Sequence, residues 1–208
     1  RNVKILNDPE VANTDGIDPD ASVNVLVEHC FAFCSDDNIA IKTTNNLNLN
    51  RDLENITVKD CVFLTRKSAL KVGTETKAQN MRNILFENND VLLCDRGLVL
   101  YNNDGSHFDN IRFVNNRFEK NYPDNQRKAI HFQIRERHGR GMITNVLIKD
   151  CKFYTRFPNG SEIKGLDDDA CIDGILFENL TIEGSPILSP TDGNIRISEE
   201  SVKNVTFN

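Results

Sequence analysis

A four-residue pattern, Asn-apolar-any-apolar, recurs along the whole chain and constrains its fold more than any other feature. Successive copies are 22, 31, 28, 27, 35, 29 and 30 residues apart. Self-similarity at such periods predicts a solenoid, in which each repeat packs only against its neighbours. The eight copies, with glycine replacing asparagine in the seventh, begin at Asn2, Asn24, Asn55, Asn83, Asn110, Asn145, Gly174 and Asn204.

Apolar residues at alternate positions predict short strands with one face turned inward. In most repeats two further strand-like runs follow, such as Phe31-Ala32-Phe33 and Ile39-Ala40-Ile41. Three short strands in each turn predict an all-β parallel β-helix of about eight turns, stacked about 4.8 Å apart. We expect residues 1–208 to form one such domain, either whole or as a fragment of a longer β-helix.

The composition excludes several classes of function. The chain has a net charge of −6 and a hydrophobic content of 38%. An acidic chain is a poor match for nucleic acid or for an anionic membrane surface, and no apolar run approaches the roughly 20 residues that span a bilayer. We therefore expect no nucleic-acid partner and no membrane insertion.

The six cysteines follow no zinc-binding spacing such as CxxC. Three of them, Cys30, Cys61 and Cys151, stand six residues after the repeat's first residue. We expect them to form a column of stacked, buried small side chains rather than metal ligands, because a free cysteine behaves as a small hydrophobic residue. A disulfide between neighbouring turns stays open as an alternative.

Three aspartates form the most informative polar cluster. Asp15 and Asp37 are 22 residues apart, the same separation as Asn2 and Asn24, which predicts that they are neighbours on adjacent turns; Asp36 precedes Asp37. Carboxylates so close raise one another's pKa, so that one keeps its proton near neutral pH. Glycoside hydrolysis needs this pairing of an acid with a carboxylate. The alternative is that these residues only cap turns.

The motifs around these aspartates resemble those of a known family. Asn13-Thr14-Asp15-Gly16 and the stretch Asp36-Asp37-Asn38-Ile39-Ala40-Ile41-Lys42 are similar to the first two signatures of the polygalacturonase-like glycoside hydrolases of family 28. The resemblance implies a right-handed, pectin lyase-like β-helix and an inverting hydrolysis of a pectic or related polysaccharide. It implies that Asp36 is the general acid, that Asp15 and Asp37 hold and deprotonate the attacking water, and that neither a cofactor nor a metal is needed.

Two later signatures of that family, Gly-His-Gly and Arg-Ile-Lys, are absent. The segments Ser68–Thr76 and Arg96–Tyr101 occupy the corresponding places, so specificity for galacturonate stays open. If the turns are in register, Lys71, Glu75, Arg96 and Tyr101 lie near the aspartates, and we predict that they contact substrate. For each, an exposed polar residue on a solenoid face is the alternative.

Two other groups of side chains are less specific. Arg135, Arg137, His138 and Arg140 crowd into one loop, which either reaches toward a substrate or, as we favour, forms a solvated basic face. We expect His131 to lie on a strand in a structural role.

Other activities remain compatible with the sequence. They are hydrolysis of neutral glucans, as in the dextranase and isopullulanase group of family 49; polysaccharide lyase activity; and glycan binding without catalysis. A poly- or oligosaccharide substrate is the one partner that we expect, with no prediction of oligomeric state. A polysaccharide substrate also favours a secreted or periplasmic location.

Overall fold

The computed structural model describes residues 1–46, 51–123 and 126–208. These residues contain 21 strands and no helix, and hence no helix that could cross a bilayer. In chain order the strands are β1 (Lys4–Leu6), β2 (Val23–Glu28), β3 (Phe31–Cys34), β4 (Ile39–Thr43), β5 (Leu53–Lys59), β6 (Val62–Thr65), β7 (Ser68–Thr76), β8 (Asn80–Glu87), β9 (Asp90–Cys94), β10 (Arg96–Asn102), β11 (His107–Val114), β12 (Arg117–Asn121), β13 (Lys128–Ile134), β14 (Met142–Lys149), β15 (Lys152–Phe153), β16 (Ser161–Lys164), β17 (Ile172–Glu178), β18 (Thr181–Ile182), β19 (Ser185–Pro186), β20 (Ile195–Ile197) and β21 (Val202–Phe207).

The strands form three sheets that run along the solenoid. The anchor sheet has the order β2-β5-β8-β11-β14-β17-β21, the middle sheet β1-β3-β6-β9-β12-β15-β18-β19, and the groove sheet β20-β16-β13-β10-β7-β4. All pairings are parallel except that of β18 with β19. The chain is a right-handed parallel β-helix of about seven turns, which confirms the predicted fold class.

The repeated asparagine has a backbone role and a side-chain role. Asn24, Asn55, Asn83 and Asn110 all have positive φ, between 53° and 59°. Asparagine adopts this left-handed conformation more readily than most residues. Their amides also form a ladder across the turns: Nδ2 of Asn55 donates to Oδ1 of Asn24 over 2.9 Å, and Asn83 and Asn110 continue the series over 3.1 and 2.9 Å.

The copy of the pattern at Asn2 belongs to a different corner of the helix. β1 pairs with β3 through Lys4 and Phe31, so Asn2 stands opposite His29 rather than Asn24. This second corner is also left-handed, with φ of 56° at Asn2 and 53° at His29. Because both corners favour asparagine, the sequence pattern counts eight copies whereas the solenoid has about seven turns.

Stacked apolar side chains fill the interior. Successive turns place Phe86 over Phe113 and Phe118 over Phe153, with ring centroids 5.1 and 4.4 Å apart. Such offset stacking adds to the free energy gained by burying the rings. The interior therefore holds the three sheets together along the full length of the groove sheet.

The predicted cysteine column is present. The backbone N–H of Cys30 donates to Sγ of Cys61, and the N–H of Cys61 donates to Oδ1 of Asn89. Asn89 continues the column to Asn116 through a 2.9 Å hydrogen bond. All six cysteines are buried free thiols, so the inter-turn disulfide that was left open is not formed.

Candidate active site

Asp15 and Asp37 lie side by side at the end of the groove sheet where the chain begins. Ile17 forms a parallel bridge with Ile39, and the N–H of Gly16 donates to the carbonyl of Asp37 over 2.9 Å. The predicted adjacency of Asp15 and Asp37 is therefore correct. The argument from the spacing of Asn2 and Asn24 is wrong, however, because these two residues do not occupy equivalent positions on adjacent turns.

The backbone around Asp15 is held by close contacts, one of which explains Gly16 of the motif. A Cβ on Gly16 would lie 2.3 Å from the carbonyl oxygen of Asn38, so only glycine allows these segments to approach so closely. Nδ2 of Asn7 donates to the carbonyls of Thr14 and Asp15 over 3.1 and 3.0 Å. These contacts fix the direction of the Asp15 side chain.

Asp36 completes the cluster from the turn between β3 and β4. Its Oδ1 accepts a 3.0 Å hydrogen bond from the N–H of Asp37. One carboxylate oxygen from each of Asp15, Asp36 and Asp37 lies within 4.8 Å of the other two. Such a group could also hold a metal ion, but Lys42 and Lys71 already supply positive charge beside it. The arrangement fits acid–base chemistry better than metal binding.

Asp37 is an ionised, buried carboxylate. Its Oδ2 pairs with the ammonium of Lys71, and its Oδ1 accepts a 2.9 Å hydrogen bond from the N–H of Ser68. The side chains of Asp37 and Lys71 are only 6% and 10% exposed. Burial by itself raises the pKa of Asp37, but the charge and hydrogen bond of Lys71, with help from Arg96, outweigh burial and leave that pKa below its ordinary value.

Asp15 has the opposite protonation behaviour. Burial, followed by the charge of Asp18 and a hydrogen bond with it and then the charges of Asp37 and Asp36, raises the pKa of Asp15 to about 7. Nζ of Lys42 binds Asp18 over 2.6 Å but stays 3.6 Å from Asp15. The site thus holds a carboxyl that keeps its proton near neutral pH beside a carboxylate that does not.

An open cavity of about 760 Å³ lies over this cluster. It brings together the three aspartates with Lys71 and Glu75, two of the four residues predicted to contact substrate. The other lining residues are Asn7, Asn13, Thr14, Asp18, Ala40, Lys42, Gly73 and Thr74.

Arg96 and Tyr101, the other two predicted contacts, are not among the residues that line this cavity. The Arg96 side chain is 14% exposed and its Nε lies 3.2 Å from Asp95. The Tyr101 hydroxyl lies 2.6 Å from Nδ1 of His131, which stands on β13 as predicted. Both residues are already bound to protein partners on the groove sheet, and their role as substrate contacts stays a prediction.

Asp18 and Lys42 are the site residues that the sequence reasoning missed. Asp18 stands two residues after the first quoted motif, and Lys42 ends the second, where it alternates with Ala40 on the outward face of β4. The alternation of Ala40 and Lys42 in the sequence predicts that both face the same side of the strand.

Basic residues of the loop from Arg135 to Arg140 bind different acidic partners. Arg137 binds both carboxylate oxygens of the buried Asp104 over 2.6 Å, which keeps the pKa of Asp104 low. Arg140 binds Asp167. All four basic residues of the loop are exposed, as the favoured interpretation as a solvated face expects, but Arg137 and Arg140 are paired with carboxylates.

Comparison with known proteins identifies the family. Residues 1–123 match the family model described as glycosyl hydrolases family 28. The chain belongs to glycosyl hydrolases family 28. The predicted family resemblance is thereby confirmed.

A solved structure shows the same fold. It is the crystal structure of a hyperthermoactive exopolygalacturonase from Thermotoga maritima, with a TM-score of 0.67 and 22% sequence identity. The match covers 94% of this family 28 chain and 44% of the exopolygalacturonase, so the chain spans less than half the length of that protein. No curated protein sequence matches the chain.

Proposed function

We propose that this protein is a pectin-degrading glycoside hydrolase that cleaves its polysaccharide by inversion, with Asp15, Asp36 and Asp37 as the reacting carboxyl groups. The observation that carries the proposal is the three-aspartate cluster in the floor of an open groove in a family 28 chain. The fold shared with an exopolygalacturonase supports a uronate polymer as substrate.

The family resemblance assigns the general acid to Asp36 and the handling of water to Asp15 and Asp37. In the resting site the proton near neutral pH is on Asp15, while Lys71 keeps Asp37 ionised. Catalysis then requires that the leaving oxygen receives a proton from one carboxyl group while water loses one to another. In this scheme the proton of Asp15 passes to Asp36, which gives it to the leaving oxygen, and the ionised Asp15 then takes a proton from the attacking water beside the charge of Asp37.

Single substitutions test these roles. Asp36→Asn and Asp15→Asn are nearly isosteric, so we expect each to retain the fold and to lose activity on polygalacturonate. The variant that lacks the general acid should retain turnover of an aryl glycoside, because a good leaving group needs no protonation. If Asp15→Asn rather than Asp36→Asn behaves in this way, then Asp15 is the acid.

The stereochemistry is tested on the first product. The inverting assignment comes from the family resemblance and not from the carboxyl spacing, because the oxygens that lie within 4.8 Å of one another are closer than the roughly 6.5–9.5 Å usual between the two carboxyl groups of inverting enzymes. Proton NMR of the newly formed reducing end should show the inverted anomer first. A retained anomer would exclude inversion and make one aspartate a nucleophile.

A substrate screen separates the proposed activity from the alternatives. Polygalacturonate, dextran, pullulan and xylan are incubated with the protein, and both reducing ends and ultraviolet absorbance are recorded. New reducing ends from polygalacturonate without absorbance support the proposal. Cleavage of dextran or pullulan indicates a neutral-glucan hydrolase, absorbance from unsaturated products indicates a lyase, and binding without cleavage indicates a non-catalytic protein.

A further inference from the structure

Arg66 connects parts of the solenoid that are far apart in the sequence. It stands in the turn between β6 and β7, and its Nη1 donates to the carbonyl oxygen of Pro9 over 2.6 Å and to Oε1 of Glu10 over 2.9 Å. Its guanidinium carbon lies 5.1 Å from the centre of the Tyr122 ring, which is within the range of a cation–π interaction. Arg66 does not line the cavity over the three aspartates, so it can affect hydrolysis only through the residues that it holds.

The loop that Arg66 holds leads to the first aspartate of the cluster. Residues 7–14 contain no strand, so they depend on individual hydrogen bonds for their position. The hydroxyl of Thr14 donates to the carbonyl oxygen of Val11 over 3.1 Å, and the hydroxyl of Ser35 contacts the same oxygen from the next turn. Arg66 therefore holds this loop directly before the point at which it binds the next turn.

Two hydroxyl groups couple this loop to both segments that carry reacting aspartates. The hydroxyl oxygens of Thr14 and Ser35 lie 2.7 Å apart, and the N–H of Ser35 donates to Oγ1 of Thr14 over 3.3 Å. Thr14 directly precedes Asp15 in the sequence, on the first turn. Ser35 directly precedes Asp36 in the same way, on the second. The position of the loop therefore affects the spacing between the carboxyl groups of Asp15 and Asp36.

The turn that carries Arg66 is itself fixed to the segment that carries Asp36. Thr65, the residue before Arg66, is fully buried, and its hydroxyl donates to the carbonyl oxygen of Asp36. The N–H of Lys67 donates to that same hydroxyl over 2.9 Å. Arg66 thus reaches from a fixed base beside Asp36 to the loop before the first aspartate, and the ring of Tyr122 limits the directions that its guanidinium group can take.

We propose that Arg66 is a positioning residue for the hydrolysis, which holds the loop before Asp15 against the turn that carries Asp36 and so fixes the spacing of these two carboxyl groups. The inference rests on the proposed function, because it takes both groups to react. A misplacement of about 1 Å can lower the rate of an enzyme about a hundredfold. The same contact contributes little to stability, since the side chains of Arg66 and Glu10 are 32% and 80% exposed.

The first test compares two matched arginine variants. Arg66→Met removes the guanidinium group but keeps an unbranched side chain of similar length. Arg82→Met is the control, because it removes an exposed arginine that binds Glu54 over 2.8 Å on the anchor sheet. On polygalacturonate we expect kcat of Arg66→Met to fall about ten- to a hundredfold at unchanged KM, because Arg66 holds no part of the substrate. The control should keep both constants, and both variants should lose similarly little stability in urea.

The second test measures the pKa of Asp15, which a purely structural role of Arg66 would not move. Carbon-13 NMR titration of the aspartate carboxyl groups measures it, with the signal assigned from its loss in Asp15→Asn. Burial is the main cause of the raised pKa, and nearby carboxylates add to it. The charged side chains that face Asp15 are Asp18, Asp36, Asp37 and Lys42. Release of the loop exposes Asp15 and moves it away from the carboxylates of the next turn. We therefore expect Arg66→Met to lower this pKa from about 7 toward the ordinary aspartate value of about 3.9, and Arg82→Met to leave it unchanged.

The outcomes separate this role from the proposed function. A wild-type kcat in Arg66→Met overturns the positioning role, and so does a fall in kcat with an unchanged pKa of Asp15. A loss of stability far larger than that of Arg82→Met also overturns it, because Arg66 is then a structural residue. If the wild type cleaves no polysaccharide, the proposed function fails instead. The NMR titration then still decides whether Arg66 positions Asp15, because a lowered pKa in Arg66→Met supports it and an unchanged pKa overturns it.

Discussion

Replacement of Lys71 by methionine should destabilise the protein strongly at neutral pH and much less in acid. Lys71 is the main partner of Asp37, and both side chains are almost fully buried. Methionine fills a similar volume but cannot neutralise the carboxylate. The variant therefore leaves a buried charge with the hydrogen bond from Ser68 and the weaker influence of Arg96.

The magnitude follows from the burial of the pair. Loss of one partner from a buried ion pair typically costs about 3–5 kcal/mol, because the remaining charge is neither hydrated nor compensated. The double variant Lys71→Met with Asp37→Asn should recover most of this loss, since the isosteric amide carries no charge. The difference between the single and double variants measures the coupling of the pair.

The sign of the pH dependence is set by the pKa of Asp37. In the wild type that pKa is lowered, so the ion pair stabilises the fold above the unfolded pKa of about 3.9, and this stability is lost as pH falls through the folded pKa. In Lys71→Met, burial without the lysine raises the pKa of Asp37, and the group takes up a proton in the folded state. The loss of stability should therefore be largest above about pH 5 and shrink below about pH 4.

Urea denaturation followed by circular dichroism between pH 3 and pH 8 provides the measurement. Lys149→Met is the matched control, because its partner Glu178 is solvent-exposed, and it should change stability little at any pH. A loss of stability in Lys71→Met that is constant across this range, or that the double variant does not recover, would refute the reasoning.

Three further outcomes are expected. Asp18→Asn should lower the pKa of Asp15 from about 7, because it removes the largest charge contribution to that shift. The alkaline limb of the pH–activity profile should then move to lower pH; if it does not move, Asp15 is not the group that sets this limb. Gly16→Ala should abolish activity, because its Cβ would meet the Asn38 carbonyl at 2.3 Å; wild-type turnover would contradict the contact. Asn110→Ala should cost about 1–2 kcal/mol, measured by urea denaturation, through left-handed strain and a lost ladder bond; glycine should cost less, and the reverse order would contradict the strain.

The fold could be predicted from the sequence because the residues that face inward and the residues at the corners are both of recognisable types. Alternating apolar positions identify the inward faces, and asparagine marks left-handed corners such as those at Asn55 and Asn83. The same feature explains why the pattern counts eight copies whereas the solenoid has about seven turns. Asparagine is favoured at two different corners, so the pattern at Asn2 could not be distinguished from the pattern at Asn24.

The aspartate cluster could also be predicted, because Asp15, Asp36 and Asp37 stand in motifs that the sequence shows directly. The partners of other side chains could not be predicted, because the turns differ in length and the sequence does not show which residues are neighbours across the sheet. Tyr101 binds His131 on the next turn instead of facing the aspartate cavity. Lys71 faces that cavity as expected, but its charge is already committed to Asp37.

The groove sheet sets fixed distances between the outward side chains of successive turns. Its strands are parallel and in register from β7 to β16, so any two outward residues in one column are separated by a whole number of inter-strand steps of about 4.8 Å. Removal of one complete turn between β7 and β13 would shorten the distance between Lys71 and His131 by one such step. A protein of this architecture can thus change the distances between outward side chains by gaining or losing whole turns, while the remaining strands keep their register.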